Sequence, residues 1–192
     1  MLRFRELLII FRQQRGVLMR HPLEFVPEHL RRPLFYTFFA MTILIFGIFN
    51  QSEQYLQTSA APNGIVSFEL AGNVETSQSI LDAWNPEARL VAAFGLGFDF
   101  LFMPVYALAL SLGLLLALSG KTGTYRHFAV WMGWGVFVAA LFDTMENYAL
   151  WCVLTGGALS PYPRISAFCA VTKFTLLIVG LITALAGRLV KS

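Results

Sequence analysis

Four apolar runs of bilayer length constrain this chain more than any other feature of its sequence. A helix rises about 1.5 Å per residue, so about 20 apolar residues are needed to cross about 30 Å of hydrocarbon. The runs cover about residues 34–50, 90–118, 128–153 and 165–186. We therefore predict an all-α polytopic membrane protein, a bundle of four transmembrane helices formed by residues 34–192, with an outer loop over residues 51–89.

The composition supports a membrane protein and argues against several other classes. Charged residues make up 13% of the chain and hydrophobic residues 57%, whereas soluble domains carry about 25% charged residues. So few charges cannot cover a surface exposed to water, and so many apolar residues do not suit a disordered chain or a small disulfide scaffold. We predict no nucleic-acid partner, because the net charge of +3 is explained by the topology below.

The distribution of lysine and arginine predicts the orientation. Seven arginines precede the first run, and further lysines and arginines follow the second and fourth runs. On the opposite side the only cations are Arg89 and Arg164. Because positively charged loops stay in the cytoplasm, we predict that both termini are cytoplasmic and that the protein resides in a cytoplasmic (inner) membrane. We expect the first run to act as an uncleaved anchor.

Residues 1–33 are basic and amphipathic, which predicts a helix lying in the membrane interface. Pro22 and Pro27 should interrupt this helix before the first span. The segment is interpreted either as a topology anchor or as a docking arm for a partner. The arginines expected to contact anionic headgroups are Arg3, Arg5, Arg12, Arg15 and Arg20.

The outer loop, residues 51–89, is too short for an independent domain with a large core. Apolar and polar residues alternate over 66–70, which suggests a short extended piece. Residues 76–84 could form a short helix. Asn85 followed by Pro86 is typical of a cap and first turn, so the second long helix should begin there. We expect the loop to fold over the outer end of the bundle or to contact a partner.

Ionisable residues inside the spans are the most informative feature for function. They come from three different runs, they fall at a similar depth, and small residues share their helix faces. Small residues mark close helix contacts, and a charge facing lipid costs about 2.5–3.5 kcal/mol, so these side chains should point into the bundle. The predicted intramembrane cluster consists of Asp99, Tyr106, Asp143, Glu146, Asn147 and Lys173.

Two interpretations of this cluster remain open. It is either a structural clasp, in which Lys173 pairs with Asp143 or Asp99, or a site for a proton, a cation or a polar headgroup. Three carboxyl groups face one ammonium, so at least one carboxyl should be protonated or a further cation should join them. Pro104 should kink the second helix beside the cluster, because it removes a backbone hydrogen bond.

Catalytic motifs are scarce in the sequence, and none identifies a cofactor. The three histidines lie away from the carboxyl groups, and no phosphate loop or zinc-protease motif occurs. We therefore predict no catalytic residues and no metal site. Cys152 and Cys169 could reach each other, but packing roles are the more common use of membrane cysteines.

These observations favour a non-catalytic subunit or assembly factor of a larger membrane complex. Its partners would be the lipid bilayer and other membrane subunits, or a second copy of itself. A small proton- or cation-coupled transporter, or a protein that binds a polar headgroup at the same cluster, is the alternative. A second alternative is a lipid-modifying enzyme with Asp143 or Glu146 as its general base.

Overall fold

Six helices form the part of the chain that the structure, a computed structural model, describes: residues 19–187 and Leu189. They are α1 (Glu28–Leu56), α2 (Gly64–Glu69), α3 (Val74–Ala83), α4 (Pro86–Ala117), α5 (Gly123–Gly156) and α6 (Tyr162–Ala186). No strand occurs among these residues. Helices α1, α4, α5 and α6 are long and apolar enough to cross a membrane. The prediction of an all-α four-helix bundle is confirmed, and the chain is a multi-pass membrane protein.

Local signals set several of the helix ends. The side-chain oxygen of Asn85 accepts a hydrogen bond from the Ala88 amide at 2.8 Å, as a cap should. Helix α4 starts at Pro86, where sequence signals place its beginning, and it continues through Pro104. Helix α1 begins after Pro27 and continues through Pro33 to Leu56. It is therefore longer than the apolar run 34–50 at both ends.

The expected extended piece at residues 66–70 is wrong, because residues 64–69 form helix α2. A lone strand here would leave its backbone groups unpaired, whereas a helix satisfies most of them internally. Phe68 is fully buried and Val66 is exposed. The alternating pattern therefore reflects the burial of one side chain, Phe68, and does not indicate one face of a sheet.

Packing is uneven around the bundle. Helix α5 packs against both α4 and α6, whereas α1 packs mainly against α4. Only Ile45 and Leu56 of α1 are buried. We call the end where α1 starts and α6 finishes the terminal end, and the opposite end, where residues 57–85 connect α1 to α4, the cap end.

Residues 57–85, the cap segment, are fixed to the cap end by their own small core. The Phe68 and Trp84 rings meet edge to face, with centroids 5.0 Å apart. The Trp84 indole donates a 2.8 Å hydrogen bond to the Leu56 carbonyl. Ile80 is fully buried beside them. Helices α2 and α3 are therefore held across the end of the bundle.

At the terminal end, residues 19–27 form a non-helical segment that is anchored to α5. His21 is 3% exposed and lies against Gly133, where a Cβ atom would collide with the imidazole. The Trp134 indole donates a 3.0 Å hydrogen bond to the Arg20 carbonyl. The segment therefore fixes the start of α1 relative to α5.

The environment of His21 keeps its imidazole neutral. Burial, together with the nearby positive charges of Arg31 and Arg126, lowers the pKa of His21 to about 4. The ring nitrogen Nδ1 accepts a hydrogen bond from the Leu23 amide at 3.2 Å. Of the predicted headgroup-contacting arginines, Arg20 is described. Arg3, Arg5, Arg12 and Arg15, and the interfacial helix predicted for them, lie outside the described residues.

Candidate functional site

Lys173 lies near the middle of α6 and is paired with two carboxyl groups of α5. Its Nζ is 2.7 Å from Asp143 Oδ1 and 2.8 Å from Glu146 Oε1. Asp143 and Glu146 are three residues apart, which places them on the same face of a helix. The lysine is 5% exposed, Asp143 3% and Glu146 0%. These are charge-assisted hydrogen bonds in the interior of the bundle.

Helix α4 contributes two further polar side chains. The Tyr106 hydroxyl donates a 2.7 Å hydrogen bond to Asp143 Oδ2. The Asn147 amide of α5 donates to Asp99 Oδ2 at 2.8 Å and to the Leu96 carbonyl at 3.2 Å. The structure thus brings all the residues of the predicted cluster together, with Asp143 rather than Asp99 as the aspartate that contacts Lys173 directly. What the cluster does remains a prediction.

Glu69 of the cap segment also belongs to this cluster, and the sequence analysis missed it. Its Oε1 lies 3.7 Å from Lys173 Nζ. Its backbone carbonyl accepts a 3.2 Å hydrogen bond from the Ser166 hydroxyl of α6. The one signal in the sequence was an acid between two apolar residues, Phe68 and Leu70. We call the full set the Lys173 cluster: Glu69, Asp99, Tyr106, Asp143, Glu146, Asn147 and Lys173.

The Lys173 cluster contains four carboxyl groups and one ammonium. Burial raises the pKa of the Glu69 carboxyl, and the Lys173 ammonium offsets this only in part. No N–H or O–H of the described residues donates to Glu69 Oε2 or Glu146 Oε2, both of which are buried. With one cation for four acids, the cluster is expected to hold protons.

A long cleft lies between α1 and α6, with α4 as its floor, and its volume is about 2090 Å³. It extends from the terminal end to the cap end. Its walls are mainly apolar, with a row of phenylalanines from α1 facing aliphatic residues of α6. Wall residues include Phe35, Phe39, Phe46, Phe49, Leu177, Ile178 and Leu181.

Most of the Lys173 cluster lines this cleft. The lining members are Glu69, Asp99, Tyr106, Asp143, Asn147 and Lys173. Glu146 does not line the cleft and is fully buried. The cluster is therefore accessible from the side of the bundle rather than enclosed by packing on all sides.

The two ends of the cleft differ in charge. At the terminal end it is lined by Arg31, Arg32 and Lys121 and by one acid, Glu28, which lies 3.9 Å from Arg31; toward the cap end it is lined by Glu53 and Glu69. Arg31 donates hydrogen bonds to the backbone carbonyls of residues 24 and 26, so it also holds the segment before α1. A molecule lying along the cleft would meet a basic end and an acidic end.

No group of histidine, cysteine and acidic residues in the described part of the chain could hold a metal ion. Cys152 and Cys169 are both free thiols. Comparison with protein-family models, curated proteins and solved structures found no match to this chain. The cleft and the Lys173 cluster are thus the basis for a functional assignment.

Proposed function

We propose that this is a non-catalytic membrane protein that binds an amphipathic molecule of the bilayer. The polar head binds at the Lys173 cluster, and the apolar chain lies in the cleft between α1 and α6. The observation that supports this function is the position of the cluster on the wall of an apolar cleft. A buried charge network that serves stability alone has no need of such an opening, because exposure adds nothing to its pairing.

The size and lining of the cleft suit a long-chain molecule. Pockets for drug-sized ligands measure about 300–1,000 Å³, and this cleft is about twice the upper value, at about 2090 Å³. Phenylalanine and aliphatic walls fit an acyl or similar chain, while a few convergent polar groups set its orientation. We also propose a cytoplasmic (inner) membrane, with both termini in the cytoplasm, because arginine is concentrated before α1.

Filling the cleft should prevent binding. A Cβ atom at Gly95 of α4, which lines the cleft, meets no atom within 4 Å. Gly95→Phe is therefore expected to project a ring into the cleft without disturbing the bundle, and to reduce the bound amphiphile by at least about tenfold. The measurement is native mass spectrometry of the protein extracted in a mild, neutral detergent, which reports lipid-sized adducts.

Gly97 provides the matched control, since it lies two residues further along α4, is exposed and also has open space around a Cβ atom. Gly97→Phe should retain the adduct. If neither unaltered protein nor Gly97→Phe carries an adduct, or if Gly95→Phe carries as much as Gly97→Phe, the proposed function is wrong.

A second candidate, a subunit of a larger membrane complex, is favoured by the exposed surface of α1. Ile43 and Leu44 are each more than half exposed and do not line the cleft, so this side of the helix is available to lipid or to another protein. The same mass spectra distinguish the two functions. A co-purifying polypeptide of fixed stoichiometry supports the subunit, and a small adduct on a lone chain supports the binding protein.

A further inference from the structure

We propose that the head group recognised by the Lys173 cluster is a primary ammonium, which binds between Glu69 and Asp99 and replaces a proton held there in the empty site. This proposal rests on the amphiphile-binding function proposed above. It goes beyond that function by assigning the chemical class of the ligand and a coupling between binding and proton release.

Most of the hydrogen-bond donors of the cluster are already engaged. Lys173 makes two short hydrogen bonds, to Asp143 and Glu146, and its Nζ lies 3.7 Å from Glu69 Oε1. The Tyr106 hydroxyl donates to Asp143. The Asn147 amide nitrogen has two hydrogens, and it donates to two acceptors. A ligand that needs donors, such as a phosphate or carboxylate, therefore finds among the described residues of the cluster only the third Lys173 hydrogen, and Glu69 Oε1 lies 3.7 Å from that nitrogen.

Acceptors, in contrast, remain open. Glu69 lines the cleft, and its buried Oε2 receives no hydrogen bond from the described residues. Asp99 also lines the cleft, and within residues 19–187 its Oδ2 accepts a hydrogen bond from Asn147 while its Oδ1 accepts none. Buried acceptors without donors are costly. A site with open acceptors and occupied donors is complementary to a group that donates several hydrogen bonds.

The charge of the Lys173 cluster also favours a cationic head group. The cluster has four acids and one base, so a cation brings it closer to neutrality and an anion adds to its excess negative charge. Away from the cluster, the cleft is lined by Arg31 and Arg32 near the start of α1 and by Lys121 at the terminal end, whereas Glu53 lies near the end of α1. At 1.5 Å per residue the separation is roughly 30 Å. An anionic head group would be drawn to the terminal end, away from the Lys173 cluster.

The titration of Glu69 links binding to pH. The cluster has four carboxyl groups and one ammonium, and burial raises the pKa of Glu69, so we expect the empty site to hold a proton that a bound ammonium displaces. The affinity for an ammonium should therefore rise with pH, by up to about tenfold per unit while Glu69 is protonated. The titratable and charged groups that face Glu69, from all four long helices, are Glu53, Asp99, Asp143, Glu146 and Lys173.

Three single-chain probes with the same tail test the head group. Dodecylamine, dodecanol and dodecyl phosphate are titrated into the full chain in a neutral, sugar-headed detergent, with binding followed by native mass spectrometry. Dodecylamine is expected to bind at least about tenfold more tightly than either of the others, because it alone supplies a charged donor. Its affinity should increase with pH.

Variants identify the residue responsible. Glu69→Gln should lower the affinity for dodecylamine by at least about tenfold and leave the affinity for dodecyl phosphate unchanged. Glu75→Gln, which alters an exposed acid of the cap segment, should change neither. Equal affinities for the three probes, an amine affinity that does not rise with pH, or full amine binding by a folded Glu69→Gln protein would overturn the proposal.

The Gly95→Phe variant separates this proposal from the function on which it rests. If the three probes bind equally and Gly95→Phe abolishes all of them, the cleft binds amphiphiles but the ammonium preference is wrong. If Gly95→Phe leaves dodecylamine binding intact, the cleft is not the binding site and the proposed function fails as well.

Discussion

Replacing Lys173 with methionine is expected to lower the free energy of unfolding by about 3–5 kcal/mol, the usual loss when one partner of a buried ion pair is removed. The reason is that Asp143 and Glu146 lose the ammonium at 2.7 and 2.8 Å. These carboxyl groups can then avoid buried charge only by taking up protons. The destabilisation should therefore grow as pH rises. Unfolding in detergent, followed by tryptophan fluorescence at several pH values, measures it.

A double-mutant cycle shows whether the loss comes from the pair itself. Lys173→Met combined with Asp143→Asn should cost about 0.5–3 kcal/mol less than the sum of the two single variants, because the two residues are in direct contact. Arg164→Met, which removes an exposed cation of the same helix, should change stability by no more than about 0.5 kcal/mol. Strict additivity of Lys173→Met and Asp143→Asn would show that the two groups do not interact.

Phe68→Ala is expected to destabilise the cap segment by about 3–5 kcal/mol, the usual cost of emptying a buried phenylalanine site. Phe68 is fully buried and meets Trp84 edge to face. Because Glu69 is its neighbour in the chain, loosening α2 should also withdraw Glu69 from Lys173. Hydrogen exchange measured by mass spectrometry should show faster exchange in peptides covering residues 64–84, while α5 and α6 keep most of their protection.

Val66 offers a control in the same helix, since its side chain is exposed. Val66→Ala should alter stability by no more than about 0.5 kcal/mol and leave the exchange of residues 64–84 unchanged. Equal exchange in the Phe68→Ala and unaltered proteins would mean that Phe68 does not anchor the cap segment.

The number and class of the long helices follow directly from the sequence. Apolar runs of bilayer length, the Asn85 cap and Pro86 are local signals, and they specify helices without reference to the rest of the chain. The extended piece at residues 66–70 failed because alternation over five residues cannot distinguish a strand from a short helix with one buried side chain. Only packing against Trp84 decides between them.

The cluster was partly predictable for a physical reason. Charges inside a bilayer-length run must face one another, so Asp99, Asp143, Glu146 and Lys173 could be grouped from sequence alone. Glu69 could not be grouped with them, because an acid in a loop has no desolvation cost until the loop folds against the bundle. The cleft could not be predicted from the sequence either. Its existence depends on the distance between α1 and α6, and no local sequence pattern encodes that distance.

The most direct test of the account is a structure of the protein in lipid nanodiscs, determined by electron cryomicroscopy. We expect elongated density between α1 and α6 that ends in contact with Glu69 and Asp99, with Lys173 bound to Asp143 and Glu146. A cleft closed by contact of α1 with α6, or a Lys173 side chain that faces the lipid, would contradict it.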